Sequence, residues 1–225
     1  MIRVKICGLM SDDDVKAAVS SGADSLGFVT EYPVPVPWNI SREQARYLSA
    51  SAPPFITTTA VVGGPVDRVI SIARAVRPHF LQLHGDETVE DIRRVCGSLA
   101  GTGIKVLKAL RIRAENGEAL FVTPDPGAAC EILESSGVSG IVFDSVTASR
   151  PAGTGVTLDW GRLGHVTADL TLPVVLAGGL NPGNVKAAIK AVRPFGVDVI
   201  SGIETKPGVK SPRLMVEFVR AAKGR

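Results

Sequence analysis

The stretch Val4-Lys5-Ile6-Cys7-Gly8 has the pattern of a short β-strand that ends at a glycine. Side chains alternate across a strand, so Lys5 and Cys7 should share one face while the two apolar residues share the other. A helix pattern capped by Ser11 follows, and a second strand pattern, Ser25-Leu26-Gly27-Phe28-Val29, comes next. This order predicts a βαβ unit with parallel strands, and it sets the plan for the rest of the chain.

The same alternation of strand and helix patterns continues to the end of the chain. Six further strand patterns, each followed by a helix pattern, run over residues 55–62, 80–83, 104–110, 138–143, 173–177 and 197–200. Eight units in 225 residues fit a (β/α)8 barrel, which takes roughly 200–250 residues. We therefore predict an α/β fold, a (β/α)8 TIM barrel with parallel strands over residues 1–225 as a single domain, rather than an open doubly wound sheet.

The composition narrows the classes of partner. Hydrophobic residues make up 45% of the chain and charged residues 21%, which is enough apolar material for one large core. The formal net charge is only +3, and no cluster of Lys and Arg with interleaved aromatic residues appears. A nucleic-acid partner is therefore not expected, whereas a small anionic ligand fits the mild positive charge.

The cysteines and the apolar runs bear on location. The three cysteines, Cys7, Cys96 and Cys130, are odd in number and irregularly spaced, which argues against a disulfide framework or a metal cluster. The amino-terminal residues lack the apolar core of a signal peptide, and no apolar run approaches the ~18 residues of a membrane span. We therefore expect a cytoplasmic protein with no membrane partner and no metal site.

Chemistry-bearing residues stand at the carboxyl ends of several predicted strands, where barrel enzymes hold their active sites. These residues are Cys7, His84, Asp144, Gly178 with Gly179, and Ser201 with Gly202. Because parallel strands all end at the same rim of a barrel, we predict that these residues lie around one site.

Glycine clusters after strands seven and eight predict a phosphate site. Gly178-Gly179 and Ser201-Gly202 expose backbone N–H groups at the position where barrels often hold phosphate. Gly153-Thr154-Gly155, after strand six, can supply a third wall. The alternative is that these glycines only form tight turns, which is less expected for three clusters in register.

Cys7 and Asp144 are the candidate catalytic pair. A thiol can act as a base near neutral pH if a cation such as Lys5 lowers its pKa. Asp144, delivered by a hydrophobic strand, can act as a general acid if apolar surroundings favour its protonated form. Taken singly, each residue has a structural alternative: the thiol can be inert core, and the carboxyl can cap a loop.

Two further side chains have predicted partners or roles. In a closed barrel strand eight neighbours strand one, so Asp198 should form an interior ion pair with Lys5 and support the site, since a lone buried lysine is costly. His84 either contacts the substrate or satisfies a loop, and the sequence leaves both possibilities open.

Blocks spread over nearly the whole chain resemble the phosphoribosylanthranilate isomerase family. The blocks are Val4–Gly8, Gly22–Asp24, Gly27–Val29, Gln82–Glu87, Gly153–Gly155, Asp159–Trp160, Ala177–Pro182, Gly196–Asp198 and Gly208–Lys210. The resemblance implies a (β/α)8 barrel that converts N-(5-phosphoribosyl)anthranilate to the corresponding aminoketose in tryptophan biosynthesis, without metal or organic cofactor.

The resemblance also implies roles for residues. Cys7 matches the general base that removes the proton from ribose C2, and Asp144 matches the general acid that protonates the ring oxygen. Gln82 and His84 are expected to bind the substrate. The phosphorylated sugar–anthranilate is the expected small-molecule partner, and the protein is expected to be a monomer or a homodimer.

Two departures from the family pattern remove positive charge. Residues 31–41 contain no Lys or Arg, and Trp38 stands near the arginine that many members carry there. Trp38 can stack on the anthranilate ring or only pin the proline-rich loop. Val156 stands where lysine is usual, and Arg111 is a candidate replacement partner for the substrate carboxylate.

Two other functions fit the same glycine clusters. One is a related barrel acting on another ribose or ribulose phosphate, for example an epimerase or synthase, in which Cys7 is incidental. The other is a non-catalytic barrel that binds a phosphosugar. The presence of both Cys7 and Asp144 favours the isomerase over the non-catalytic barrel.

Overall fold

A computed structural model describes residues 1–147, 157–168 and 170–224, and within them a closed parallel barrel is wrapped by helices. The barrel strands are β1 Arg3–Ile6, β2 Ser25–Thr30, β3 Thr57–Val62, β4 Phe80–Leu83, β5 Lys105–Arg113, β6 Gly140–Val146, β7 Val174–Leu176 and β8 Gly196–Val199. The helices are α1 Asp12–Ser21, α2 Arg42–Ala50, α3 Val66–Val76, α4 Val89–Leu99, α5 Pro126–Glu134, α6 Trp160–Ala168, α7 Val185–Val192 and α8 Pro212–Lys223. The predicted (β/α)8 barrel is confirmed.

Strand β1 closes the barrel because it pairs on both sides. Lys5 lies opposite Asp198 of β8 on one side and opposite Ser25 of β2 on the other. A short strand, Asn39–Ile40, pairs with Val29 and Thr30 at the carboxyl end of β2, and a small hairpin, Glu204–Lys206 with Val209–Lys210, follows β8. Closure rules out the open doubly wound sheet.

Capping side chains set the starts of the helices. Ser11 caps α1 and forms a reciprocal capping box with Asp14, and Ser41 caps α2 through the N–H of Gln44. The cap at Ser11 was expected from the sequence. The loops at the carboxyl ends of the strands are thereby held in place, because each helix start is also the end of such a loop.

Strands β5 and β6 run further than the sequence indicated. Their pairing continues through Arg111 with Asp144 to Arg113 with Val146. The N–H of Leu120 donates to the carbonyl of Arg111, and this bond ties the following loop back onto the extension of β5. Asp144 consequently lies within the paired part of β6 and not at an unpaired strand end.

The two faces of each strand have different surroundings. Residues such as Ile6, Phe28 and Phe143 face the helices and are fully buried. Inside the barrel, one apolar cluster, formed by Leu107, Ala109, Val142 and Ala177, accompanies the charged pair of Lys5 and Asp198. We call the opening of the barrel at the carboxyl ends of the strands the carboxyl-terminal mouth, and the opposite opening the amino-terminal mouth.

No helix in residues 1–147, 157–168 or 170–224 is long and apolar enough to cross a membrane. Among the same residues, no group of three or more His, Cys, Asp or Glu side chains is arranged to hold a metal ion.

Candidate active site

One cleft at the carboxyl-terminal mouth gathers most of the residues predicted from the sequence. Its lining includes Cys7, Trp38, Gln82, His84, Asp144, Gly178, Gly179, Asp198 and Ser201. Arg111 lies in a neighbouring cleft, and Gly155 falls outside the described residues, as do Gly153, Thr154 and Val156. The shared rim therefore brings the thiol, the carboxyl and the two glycine loops together, as the strand order predicted.

Cys7 sits directly after β1 and is almost completely buried. It packs against Val29, Trp38 and Val61. Gly27 of β2 makes room for the thiol, because a Cβ at that position would lie 2.5 Å from the Cys7 sulfur. The site therefore has a thiol under an apolar cover, and a side chain at residue 27 would displace it.

The surroundings of Cys7 raise the pKa of its thiol. Burial is the largest cause and Asp198 adds to it, while the charges of Lys5 and Lys210 act in the opposite direction. Lys5 acts in the lowering direction on which the base role depends, but burial outweighs it and the net shift of the thiol pKa is upward. The sequence did not indicate that Trp38 would pack against the thiol and add to this burial.

The predicted ion pair between Lys5 and Asp198 is present inside the barrel. Lys5 Nζ donates to Asp198 Oδ2 at 2.6 Å and to Gln82 Oε1 at 2.9 Å, with both charged side chains at least nine-tenths buried. Burial lowers the pKa of Lys5, but Asp198 and Cys7 together outweigh burial and the net shift is upward. Lys5 therefore stays cationic beneath the thiol.

His84 is joined to Asp144 across the mouth. His84 Nε2 lies 2.8 Å from Asp144 Oδ2. The hydroxyl of Tyr32 donates to the backbone carbonyl of His84 at 2.7 Å and lies 3.2 Å from Nδ1 of the same residue. Of the two possibilities left open, the loop role is supported directly, while the ring also faces the cleft. Tyr32 was missed because nothing in its proline-rich segment signals a partner 52 residues away.

A buried ion pair fixes the backbone that carries His84. Lys108 Nζ donates to Glu87 Oε2 at 2.7 Å and to the carbonyl of Gly85 at 2.9 Å, and the N–H of Gly85 donates back to Glu87. Burial lowers the pKa of Lys108, against the opposing effect of Glu87. This buried ion pair thus holds the turn after β4, so His84 has a defined position.

Trp38 is pinned by its indole nitrogen. Nε1 donates to Glu204 Oε1 at 2.5 Å, and the same oxygen accepts from Lys210 Nζ at 2.8 Å. The ammonium of Lys210 lies 6.0 Å from the centre of the Trp38 ring, within the range of a cation–π contact. Trp38 therefore pins the loop, and its ring also forms part of the cleft wall.

Arg111 faces the second cleft, between the proline-rich loop and the turn after β4. Its guanidinium pairs with Asp86, and its side chain is 12% exposed. Arg111 Nε is buried and has no hydrogen-bond partner among the described residues. The two clefts adjoin, since Tyr32 and Trp38 line both.

The glycine loops after β7 and β8 pack directly on each other. A Cβ at Gly202 would lie 1.9 Å from the carbonyl oxygen of Leu180, so only glycine fits there. Gly178, with φ of 85°, needs the left-handed region that glycine adopts without strain. Tight turns and a phosphate cradle are therefore compatible, because Gly178, Gly179 and Ser201 of the same turns also line the cleft.

Comparisons with known proteins agree on one family. The family model described as N-(5'-phosphoribosyl)anthranilate (PRA) isomerase matches residues 4–221. Proteins of that name from Haloferax volcanii and Geotalea uraniireducens are 40% and 38% identical, over 99% and 100% of this chain and 94% and 100% of theirs.

Solved structures agree with the sequence relatives. Phosphoribosyl anthranilate isomerase from Thermotoga maritima superposes with a TM-score of 0.83 at 34% identity over 100% of both chains. A second structure, of a phosphoribosyl anthranilate isomerase in complex with reduced 1-(o-carboxyphenylamino)-1-deoxyribulose 5-phosphate, gives 0.80 at 33% over 100% of both. A third holds monomers generated from the dimeric T. maritima protein, with a TM-score of 0.78 at 32% identity over 100% of both.

Proposed function

This chain belongs to the N-(5'-phosphoribosyl)anthranilate isomerase family, and we propose that it carries out the reaction with Cys7 as general base and Asp144 as general acid. It is an enzyme, an aldose–ketose isomerase of tryptophan biosynthesis. One observation carries the assignment of roles: the thiol and the carboxyl line the same cleft as the two glycine loops.

The reaction is an internal exchange of protons that these two groups can perform. Asp144 donates a proton to the furanose ring oxygen while the anthranilate nitrogen forms a double bond to C1, which opens the ring to an iminium ion. Cys7, as thiolate, removes the proton from C2 and gives an enolamine. A proton then reaches C1 while the C2 hydroxyl loses its proton, which gives the ketone at C2. The two protons gained, at the ring oxygen and at C1, equal the two lost, from C2 and from its hydroxyl.

Cys7 must lose its proton for this scheme, although burial raises the pKa of its thiol. The positive charge of the iminium develops on the atoms that adjoin C2, and an adjacent cation stabilises a thiolate. Lys5 and Lys210 already act on the pKa of Cys7 in that direction. Lys5, with Asp198, therefore has a supporting role in the proposal.

The phosphate of the substrate fits the glycine loops. Backbone N–H groups of Gly178, Gly179 and Gly202, with Ser201, stand at the strand ends where barrels often bind phosphate. Gly155 would supply a third wall in this proposal, which its residue type alone supports.

The anthranilate end is assigned to Arg111 and Trp38, and the ribose to Gln82 and His84. Arg111 Nε is a buried donor that lacks a partner in the described part of the chain, and its neighbouring cleft adjoins the one that holds Cys7. A guanidinium that carries a free donor suits a carboxylate. Trp38 offers an apolar ring to the aromatic end of the substrate while its N–H stays on Glu204.

A direct assay tests the function. The purified chain is given N-(5-phosphoribosyl)anthranilate, and loss of the anthranilate fluorescence is followed. Parallel incubations with ribose and ribulose phosphates test the related-barrel alternative. Turnover of the anthranilate substrate alone supports the isomerase; turnover of another phosphosugar alone, or tight binding without turnover, supports one of the alternatives.

Of the two oligomeric states expected, the homodimer is favoured by the amino-terminal mouth. Phe55 is fully exposed there and has φ of 69°, a left-handed conformation that is costly for a bulky residue. It borders a cavity that Phe80 and the exposed Phe195 also line. A second copy that inserts Phe55 into this cavity would bury both exposed rings, and the related T. maritima protein is dimeric.

A further inference from the structure

The donors and acceptors around His84 fix where its proton lies. A backbone carbonyl oxygen can only accept, so at 2.7 Å from the His84 carbonyl the Tyr32 hydroxyl must donate its one proton there. Toward His84 Nδ1, 3.2 Å away, the same oxygen is then left with lone pairs only. A hydrogen bond between Tyr32 and His84 Nδ1 therefore requires the hydrogen to be on Nδ1.

This tautomer decides what His84 Nε2 presents to Asp144. A neutral ring protonated at Nδ1 has a lone pair at Nε2, and an ionised Asp144 would face it with another lone pair at 2.8 Å. That contact becomes a hydrogen bond only when one proton lies between the two atoms. The proton is either on Asp144, as a carboxylic acid, or on Nε2, as imidazolium and carboxylate.

We infer that Tyr32 is a positioning residue for catalysis: by holding His84 in its Nδ1–H form, it keeps a transferable proton between His84 and Asp144. The inference rests on the proposed role of Asp144 as general acid. His84 thereby acts as the proton partner of the acid, which is a different role from binding the ribose.

Several observations support a fixed arrangement. Burial raises the pKa of Tyr32, against the effect of Arg111 and with the added effect of Glu87, Asp144 and Asp86, so its hydroxyl remains a donor. The turn that carries His84 is held by Lys108 and Glu87. Ionisable groups of the surrounding elements also lie around Tyr32, His84 and Asp144. They are Cys7 after β1, Asp86 and Glu87 after β4, Lys108 and Arg111 on β5, and Asp198 on β8.

The tautomer can be observed without any turnover. The protein has three histidines, and in a sample labelled with ¹⁵N at the imidazoles, a His84→Gln variant identifies the His84 signals by their loss. We expect His84 Nδ1 to be protonated across the whole pH range in which the protein is folded. A ring protonated only at Nε2 in the unmodified protein would overturn the inference.

The Tyr32→Phe variant tests the effect on catalysis. Without the hydroxyl, His84 can move its hydrogen to Nε2 and donate to ionised Asp144, so the pair gives up its proton more readily. The alkaline limb of the pH profile of kcat should move to lower pH, with about a tenfold loss on that side and less than about a twofold change on the acid side. An unmoved limb contradicts the inference.

Two controls separate the possible failures. Tyr47→Phe removes the protein's other tyrosine hydroxyl, which is exposed and donates to Asp12, and should leave both the profile and the His84 signals unchanged. In Asp144→Asn, the amide can still donate to Nε2, so the Nδ1–H form should persist while turnover is lost. Full turnover in that variant refutes the acid role of Asp144, whereas an altered tautomer refutes the role of Tyr32.

Discussion

The two mouths of the barrel are built from the same eight strands, yet one buries charged side chains in pairs and the other exposes aromatic rings to solvent. At the carboxyl-terminal mouth, charged side chains are buried in pairs: Lys5 with Asp198, Lys108 with Glu87, and Lys210 with Glu204. At the amino-terminal mouth, the aromatic rings of Phe55 and Phe195 stand in the open.

The difference shows what each mouth is suited to. Buried ion pairs are poor sources of stability, but a broken pair is costly, so such pairs hold groups in fixed positions. Exposed aromatic rings around a cavity are typical of an association surface. In the proposed function, strand direction separates the two roles, because the candidate catalytic residues lie where the strands end and the proposed dimer contact lies where they begin.

The largest expected effect is a loss of turnover caused by changes at the carboxyl-terminal mouth, with the oligomeric state unchanged. Cys7→Ala and Asp144→Asn should each lower kcat by about a thousandfold or more, because each removes one proton-transfer group. Light scattering should show an unchanged molar mass. Cys96→Ala, which removes a thiol outside the cleft, is the matched control; near-normal turnover in either catalytic variant would refute its assigned role.

A change at the amino-terminal mouth should instead dissociate the proposed dimer and leave turnover unchanged. Phe55→Ser is expected to raise the dissociation constant of the dimer by at least about thirtyfold, as for a central aromatic anchor. Sedimentation over a range of concentrations measures this constant. Val122→Ser, at an exposed apolar residue elsewhere, should have no effect, and a wild-type chain that is monomeric at all concentrations contradicts the dimer.

Arg111 tests how far the site extends along the carboxyl-terminal mouth. Arg111→Met should raise KM by about ten- to a hundredfold with a smaller change in kcat, since it removes a charged hydrogen bond to the substrate carboxylate. The comparison is Arg113→Met, two residues along the same strand. Equal KM values for the two variants would remove Arg111 from the proposed site.

Trp38 tests the cause of the raised thiol pKa at Cys7. Trp38→Ala should let water reach Cys7, lower the pKa of its thiol and increase its alkylation by iodoacetamide about tenfold at pH 8. The measurement uses a Cys96→Ser background; Cys130 stays inert because burial, aided by Glu134, raises its pKa to about 12. Val34→Ala, in the same loop, is the control, and an unchanged alkylation rate would show that Trp38 does not cover the thiol.

The smallest effect concerns the loop that carries Tyr32 and Trp38. Hydrogen bonds from Arg42 lower the pKa of Glu31 to about 2. A lowered carboxyl pKa stabilises the folded state above its unfolded value of about 4.3, and this contribution is lost as the pH falls toward 2. Glu31→Gln should therefore reduce the free energy of unfolding by about 1 kcal/mol at pH 7, with the difference disappearing in acid.

The control for that measurement is Glu217→Gln, which removes an exposed helix pair with Arg213 and should change the unfolding free energy less. A difference for Glu31→Gln that persists below pH 2 would mean that the carboxylate charge is not its cause.

The fold and the rim position of the site followed from the sequence because both depend on local periodicity. Strand and helix patterns repeat every few residues, and the direction of parallel strands then places Cys7 and Asp144 at one mouth. The pair of Lys5 and Asp198 followed from the same closure, since β1 must meet β8.

Contacts made by loops could not be predicted from the sequence. Tyr32 reaches His84, and Trp38 reaches Glu204 at a separation of 166 residues, through loops that have no repeating pattern. Trp38 packs against Cys7, so it also contributes to the burial that raises the pKa of the thiol. Arg111 was found on the expected strand, but its orientation toward Asp86 and a neighbouring cleft depends on the extension of β5 and β6.

The ion pair between Lys5 and Asp198 has a consequence for the order of folding. The two residues are 193 positions apart, so the pair forms only after the last strand has docked against the first. Contacts of such separation are slow to form because the intervening chain must be ordered first. During synthesis, Lys5 and Cys7 emerge well before Asp198, so Lys5 lacks its carboxylate partner until the last strand of the barrel has been made. The Cys7 thiol is likewise unburied until the barrel closes, and closure is the step that shields it.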